Sequence, residues 1–181
     1  ALISLLSNKQ RKLTVAAKVG DGIVDFTRPL IEDTVLVPVQ IGTDEALDML
    51  RHSTAHIMAL AVRDIFGKDV KVAIGPAIEN GFYYDFQRKE PFTPEDFEKI
   101  EQRMEELVRQ ALPFQRTEIS SGEALKIFGT EDEKYKVELI EDLATDVVSL
   151  YQVGEFTDLC RGPHLPNTSF IKAFKLLRVA G

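Results

Sequence analysis

The chain contains three histidines and one cysteine in 181 residues, and all four fall into two pairs of equal spacing. His52 and His56 form the first pair, and Cys160 and His164 form the second. Side chains four residues apart on a helix project from one face, so the first pair can converge on one ligand. The second pair flanks a turn at residues 161–163 (RGP), which can bring its members together. If the pairs share a site, the fold must join two segments about 100 residues apart in the sequence.

Composition excludes several classes of protein. No apolar run approaches the roughly 20 residues that span a bilayer, and residues 1–6 (ALISLL) lack the basic region of a signal peptide. The single cysteine rules out an internal disulfide, which fits the cytoplasm. The net charge of −7 argues against a protein that grips nucleic acid with its whole surface, although a local basic patch is allowed. The candidates for that patch are Arg161, Lys172, Lys175 and Arg178.

Periodicity divides the chain near residue 43. Residues 1–41 predict a short helix followed by strands at 14–19, 23–26 and 35–40, a small α+β unit. A break at residues 42–44 (GTD) then precedes a long helical pattern that Gly67 ends. The apolar stripe of this helix comprises Leu47, Leu50, Thr54, Ile57, Ala61 and Ile65. The predicted domains are therefore 1–43 and 44–181.

The second domain alternates helical and strand patterns. Residues 70–78 predict a strand broken at Gly75-Pro76, and Asn80-Gly81 predicts a hairpin turn into residues 82–86. Residues 93–96 (TPED) begin a further helix, and capping boxes at 120–123 and 130–133 begin two shorter ones. The last predicted strands are 147–153, 156–160 and 170–179, and the pattern of the last segment also allows a helix. The fold class is α+β, with an antiparallel sheet packed against the long helix.

Three chemistries suit the two pairs. The three histidines and the cysteine form an acceptable tetrahedral zinc shell. A cysteine nucleophile paired with histidine fits by residue type, yet no predicted helix amino terminus lies near Cys160 to lower its pKa. A metal-free hydrolytic pocket is the third, in which a neutral histidine positions and deprotonates water. Asp158 lies two residues before Cys160, shares its face of the strand, and can orient a histidine or bind an ammonium group. A zinc protease is disfavoured because Ser53 replaces the glutamate of H-E-x-x-H.

Several long motifs resemble the editing domain of bacterial threonyl-tRNA synthetases in colinear order. These are residues 51–56 (RHSTAH), 73–85 (AIGPAIENGFYYD), 158–167 (DLCRGPHLPN) and 174–181 (FKLLRVAG). The resemblance covers residues 46–181, while residues 1–41 resemble the later part of a TGS domain, a small ubiquitin-like module. This module is predicted to be incomplete, and the aminoacylation core of the family is absent from the chain.

The resemblance implies hydrolysis of serine mistakenly esterified to threonine tRNA. By resemblance, His52 and Lys136 position or activate water, while Asp158 and Cys160 contact the aminoacyl group. The same comparison implies substrate-binding roles for His56, Tyr83, His164 and Arg161. The threonyl members are expected to work without metal, whereas alanyl-type relatives bind zinc.

The expected partners are the aminoacylated 3′ end of tRNA, its seryl group and the rest of a dimeric, cytoplasmic synthetase. No membrane partner and no required cofactor are expected. Two alternatives use the same four residues, His52, His56, Cys160 and His164, as a zinc shell. One is an alanyl-type editing domain, and the other is a non-catalytic RNA-binding module stabilised by zinc.

Overall fold

A short helix and a small antiparallel sheet come first in the computed structural model, which describes residues 6–179. The apolar start at residues 1–5 lies outside this range, as do residues 180 and 181. Helix α1 covers Asn8–Leu13, and strands β1 (Thr14–Val19), β2 (Gly22–Val24) and β3 (Val37–Gln40) pair in the order β2-β1-β3. The predicted strands are confirmed, although β2 ends and β3 begins two residues inside the expected bounds.

The long helix α2 covers Asp44–Phe66 and is the central element of the fold. Thr43 caps it by accepting a hydrogen bond from the Ala46 amide, and Gly67 ends it with a φ of 85°. Residues 53–62 are buried on every side of the helix, because strands cover one face and a second long helix covers another. The predicted apolar stripe was therefore too narrow in the middle, and it was wrong at Leu47, which is 41% exposed.

Two short hairpins follow the long helix. Strand β4 (Lys71–Val72) pairs with β7 (Phe86–Gln87), and β5 (Ala77–Ile78) pairs with β6 (Gly81–Phe82). The predicted hairpin at the Asn-Gly step is confirmed. Its loop is shifted by one residue, because Gly81 pairs with Ile78 and so belongs to the strand.

Three more helices follow along the chain, and the second of them packs against the second sheet. Helix α3 covers Pro94–Arg109 and begins after its predicted cap, Thr93, and α4 covers Ser121–Thr130 and begins at its predicted capping box. Helix α5 covers Lys134–Leu143. The capping box predicted at Thr130 is wrong, because the Thr130 hydroxyl instead donates to the Lys126 carbonyl within the preceding helix. Glu133 occupies the cap position of α5 without a side-chain cap.

The second sheet contains β8 (Gln115–Ser120), β9 (Val147–Val153) and β10 (Phe156–Leu159) in the order β10-β9-β8, all antiparallel. Strands β9 and β10 pack against α2, which confirms the predicted fold class. The strand predicted at 170–179 is wrong, since this segment has no regular structure after a 3₁₀ turn at Thr168–Phe170. Glu101 of α3 holds the segment by accepting hydrogen bonds from the Lys175 ammonium and the Leu176 amide.

One apolar core joins the two sheets to the long helix. It contains Val15 and Val39 from the small sheet, Met49 and Ile57 from α2, and Phe156 from the second sheet. The predicted division near residue 43 falls at the start of α2, and the small sheet shares this core. Among residues 6–179, no helix combines the length and the apolar composition that crossing a membrane requires.

Candidate functional site

The two His and Cys pairs meet at one place. One ligand atom from each of His52, His56, Cys160 and His164 lies within 4.8 Å of those of the other three. The His52 and His164 ring centroids are 4.3 Å apart, as are those of His56 and His164. The fold therefore brings the two distant segments into contact, as the sequence required of a shared site.

The pairs lie at one end of a cleft of about 780 Å³. The polar residues that line this cleft include His52, His56, Lys136, Asp158 and Cys160. The wall also includes Ile23 from the small sheet, the residues 74–79 before the hairpin turn, and Arg161, which is exposed. His164 is fully buried and lies behind the wall. The cleft thus has a polar floor, an apolar side and one exposed cation at its mouth.

A buried ion pair forms the floor of the cleft. The Lys136 ammonium contacts the Asp158 carboxylate, and both side chains are 3% exposed. Lys136 also donates a hydrogen bond of 2.6 Å to the Ala73 carbonyl. Tyr84 donates its hydroxyl to the same carboxylate, and His56 Nε2 lies 3.4 Å from it. Asp158 is therefore held by three separate elements of the fold.

Burial by itself would raise the pKa of Asp158, yet the Lys136 charge, His56 and the Tyr84 hydroxyl together hold it below its usual value. The carboxylate is consequently ionised at neutral pH. Desolvation acts on the histidines in the opposite sense. It lowers the pKa of His52, takes that of His56 to about 3, and places that of His164 well below its usual value. All three imidazoles are neutral at pH 7.

Cys160 has the character of a thiol. Burial raises its pKa, and the Asp158 charge raises it further. The sulfur lies 3.2 Å from His164 Nε2 and accepts a hydrogen bond from the Gly162 amide. Burial and the Asp158 charge outweigh the Gly162 amide and the Lys136 charge, which act to lower the pKa of the thiol, so a cysteine nucleophile is disfavoured.

Tyr84 occupies the place that the sequence suggested for Tyr83. The Tyr83 side chain is 40% exposed and does not line the cleft, whereas Tyr84 is buried and does. The structure thus does not bring Tyr83 to the other predicted residues. The sequence could have indicated Tyr84, because Phe82, Tyr84 and Phe86 alternate along the hairpin and so share one side of the chain.

Ser53 holds the imidazole of His164 in place. Its hydroxyl lies 3.0 Å from His164 Nδ1 and accepts a hydrogen bond of 3.0 Å from the Leu165 amide. Phe114 stacks on the same imidazole with its centroid 4.8 Å away. Ser53 is fully buried, and sequence reasoning noted it only as the residue that breaks a zinc-protease motif.

We expect Ser53→Ala to lower the free energy of unfolding by about 1–3 kcal/mol, since it leaves the buried Leu165 amide without an acceptor. Chemical denaturation followed by circular dichroism measures this change. Ser121→Ala is the control, because its hydroxyl bonds the Thr145 carbonyl at an exposed position. Equal destabilisation by the two variants would contradict the role given to Ser53.

The four-residue cluster also suits zinc by donor type. His56 presents Nε2 to Asp158, which leaves Nδ1 without a partner in the described structure. Zinc-bound histidines commonly have this pattern, with the second nitrogen bonded to a carboxylate. A tetrahedral zinc ion with bonds of about 2.0–2.3 Å needs donors roughly 3.5 Å apart, so spacings of up to 4.8 Å would have to contract. The chemical types of the four donors therefore suit zinc, but the donor atoms lie farther apart than in a zinc-bound site.

Comparisons with known proteins find relatives over almost the whole chain. The family model for the threonyl and alanyl tRNA synthetase second additional domain matches residues 148–181. A threonine–tRNA ligase of Lawsonia intracellularis is 50% identical over 97% of the chain, and one of Nitratidesulfovibrio vulgaris is 52% identical over 100%. One of Citrifermentans bemidjiense is 53% identical over 94%. The chain spans only 27–28% of the length of these curated relatives.

Proposed function

We propose that this chain, which is homologous to a segment of the threonine–tRNA ligases, is an editing domain that hydrolyses the ester between an amino acid and tRNA. The observation that carries the proposal is the meeting of neutral histidines with a buried Lys136–Asp158 pair on the floor of one cleft. Such a floor can hold a water molecule beside a base and a cation beside the oxygen that becomes negative.

The substrate that we propose is serine esterified to threonine tRNA. Serine lacks one methyl group of threonine, and a binding pocket gains only about 1–3 kcal/mol of discrimination from a methyl. A site that accepts threonine therefore also accepts some serine, and a second site must remove the error. In the editing cleft, serine would fit beside the water, whereas the threonine methyl would displace it.

His52 is the proposed base. Its ring lines the cleft and is neutral, so it can take a proton from water as the water oxygen attacks the ester carbonyl. The bond between that carbon and the ribose oxygen then breaks, and the ribose oxygen takes the proton from His52. Hydrolysis thus releases the free amino acid and the uncharged tRNA, and His52 ends neutral.

Lys136 is the proposed oxyanion stabiliser. An ammonium has three donors, and Lys136 uses two of them on Asp158 and on the Ala73 carbonyl. The third is free to face the carbonyl oxygen as it gains charge. Asp158 orients Lys136 and Tyr84, while Cys160 and His56 form the wall around the aminoacyl group. Arg161 lines the cleft and is exposed, and its proposed role is to contact the tRNA backbone.

Deacylation of Ser-tRNA and Thr-tRNA, both charged on threonine tRNA, tests the proposal. We expect the chain to release serine at least tenfold faster than threonine, because a steric second site discriminates against the larger side chain. Equal rates, or rates equal to those without protein, would reject it. The variant His52→Ala separates hydrolysis by the cleft from hydrolysis by a contaminant, since loss of a general base costs about 10²–10⁴-fold.

The pH profile tests the state of His52. Burial lowers its pKa below the usual 6.5, so the neutral base is present above that value and is lost as the pH falls through the lowered pKa. We expect the rate of seryl-tRNA deacylation to be constant above pH 6.5 and to fall only on the acid side. The uncatalysed rate, which rises with pH, is subtracted first. A rate that falls with an apparent pKa above 7 would contradict this assignment.

An alternative function that depends on zinc is supported by the cluster of four donor residues. In it, His52, His56, Cys160 and His164 hold zinc, either in an alanyl-type editing domain or in a non-catalytic RNA-binding module. When bound, zinc would supply Lewis-acid or structural stabilisation there. Elemental analysis of purified protein separates the readings: stoichiometric zinc without hydrolysis favours the module, and zinc with hydrolysis lost on chelation favours the alanyl type. Full activity after chelation favours the metal-free pocket.

The wider assignments are proposals of the same kind. The unit at 1–43 would be a TGS-like module, and 44–181 would be the editing domain. The partners would be the aminoacylated 3′ end of tRNA and the remainder of a dimeric, cytoplasmic synthetase.

A further inference from the structure

The carboxylate of Asp25, just after the small sheet, is linked to the candidate site through Tyr151. Asp25 follows β2, is 6% exposed, and accepts a hydrogen bond of 2.5 Å from the hydroxyl of Tyr151. Its other oxygen accepts bonds from the amide and the hydroxyl of Thr27. Both oxygens are thus held, and the carboxylate cannot turn away from Tyr151 without losing a bond.

Tyr151 stands between Asp25 and the site. It is buried on β9, and its ring centroid lies 4.6 Å from that of His164. Its hydroxyl oxygen lies against the backbone of Gly162, where an added Cβ would be only 2.1 Å away. Tyr151 therefore touches both the buried imidazole and the turn that follows Cys160.

His164 and the turn at Gly162, which Tyr151 contacts, also hold the Cys160 thiol in position. The sulfur of Cys160 has His164 Nε2 at 3.2 Å on one side and accepts the Gly162 amide at 3.3 Å on another. A movement of Tyr151 would therefore displace both neighbours of the sulfur at once. The Cys160 carbonyl and amide are tied separately to Ser149, which leaves the side chain and the turn as the parts free to respond.

We propose that Asp25 is a positioning residue for the site, acting through Tyr151 on His164 and on the turn at Gly162. This role rests on the proposed editing function and deepens it. It makes the small amino-terminal sheet part of the hydrolytic apparatus. Ile23, two residues before Asp25, also lines the cleft, so the small sheet and the residue after it supply both a wall and a support.

The experiment compares Asp25→Ala, Tyr151→Phe and the double variant with the unchanged chain. Tyr151→Phe keeps the ring beside His164 and removes only the hydroxyl. We expect each single variant to lower kcat for seryl-tRNA deacylation roughly tenfold with KM unchanged, the size expected from losing one hydrogen bond to a charged group. The double variant should lose no more than either single one, because both remove the same interaction. Tyr135→Phe is the matched control, since its hydroxyl bonds the exposed Gln87.

The rate at which N-ethylmaleimide alkylates Cys160 gives a readout that needs no hydrolysis. Cys160 is the single cysteine of the chain, so one labelling rate reports on one site. We expect both single variants to be alkylated several-fold faster than the unchanged chain and the control. Faster alkylation without any hydrolysis in the unchanged chain would support the positioning role while rejecting the editing proposal.

Three results would overturn the inference. The first is unchanged alkylation and kcat in both single variants, with circular dichroism showing them folded. The second is a double variant whose losses are the product of the single ones. The third is a global loss of folding in Asp25→Ala together with normal kcat and alkylation in a folded Tyr151→Phe, which would assign Asp25 to stability alone.

Discussion

Replacement of Lys136 by methionine should slow editing by about 10²–10³-fold and lower the free energy of unfolding by about 3–5 kcal/mol. The stability loss follows because methionine leaves the buried Asp158 carboxylate without its main cation. The loss of hydrolysis follows because the proposed oxyanion donor is gone, which costs about 10²–10³-fold in comparable sites. Denaturation by urea and deacylation of seryl-tRNA measure the two effects.

The size of the stability loss in Lys136→Met depends on pH. With Lys136 present, the pKa of Asp158 is held below 3.8, so the pair stabilises the fold above that pH and is lost as the pH falls through the lowered pKa. Without Lys136, burial dominates and raises the pKa of Asp158 in the variant. The deficit of the variant should therefore shrink when the pH is lowered from 7 to about 4, where its carboxyl is protonated at smaller cost.

Lys126→Met is the matched control for this experiment. Lys126 is exposed on α4, and its replacement should change stability by no more than about 0.5 kcal/mol. A Lys136→Met chain that hydrolyses seryl-tRNA at the unchanged rate would remove Lys136 from the mechanism. A deficit that stays constant with pH would show that the lost stability does not come from the unpaired carboxylate.

Gly75→Ala is expected to close the cleft by displacing Tyr84. A Cβ at position 75 would lie 2.1 Å and 2.3 Å from two ring carbons of Tyr84, which no pair of unbonded carbons tolerates. The ring is buried, and its hydroxyl is bonded to Asp158, so it cannot turn aside without breaking the floor of the cleft. We expect a loss of about 1–3 kcal/mol in stability and a loss of editing activity of 100-fold or more, since about 1 Å of misplacement has effects of this order.

Gly122→Ala provides the contrast. Gly122 lies in α4, where an added Cβ meets nothing within 4 Å, so alanine should raise stability by about 0.5–1 kcal/mol through its better helix propensity. Thermal unfolding of the two alanine variants, with deacylation assays on each, compares them directly. Unchanged editing in Gly75→Ala would mean that Tyr84 is not needed for the floor.

The sequence predicted the frame of the molecule well because its signals there are local. The Thr43 cap, the Gly67 stop and the Pro94 start each act within a few residues, so α2 begins and ends where predicted and α3 begins where predicted. Strand β8 was missed because its residues are mostly polar and exposed, so no alternation of apolar side chains marks it. The segment at 170–179 was misassigned because it is held by Glu101 from a distant helix, which local patterns cannot reveal.

The site divides in the same way. The equal spacing of the two His and Cys pairs predicted their meeting, while Lys136 entered only through the family resemblance, since an isolated lysine on a charged helix carries no signal. Tyr84, Ser53 and the Asp25–Tyr151 bond depend on packing between distant segments, over 74, 111 and 126 residues of separation. Of these, only Tyr84 could have been chosen in advance, from the alternation of the hairpin.

The separation of the two halves of the site also bears on how the protein is made. Ser53 contacts His164 across 111 residues, so the central helix leaves the ribosome well before the segment that covers it. At about 5–20 residues per second, the face of residues 53–62 that β9, β10 and the turn cover would remain uncovered for some 5–20 seconds. We expect nascent chains that stop before residue 158 to expose this apolar helix to chaperones. Proofreading capacity would then arise late and all at once, when the final strand and its turn dock.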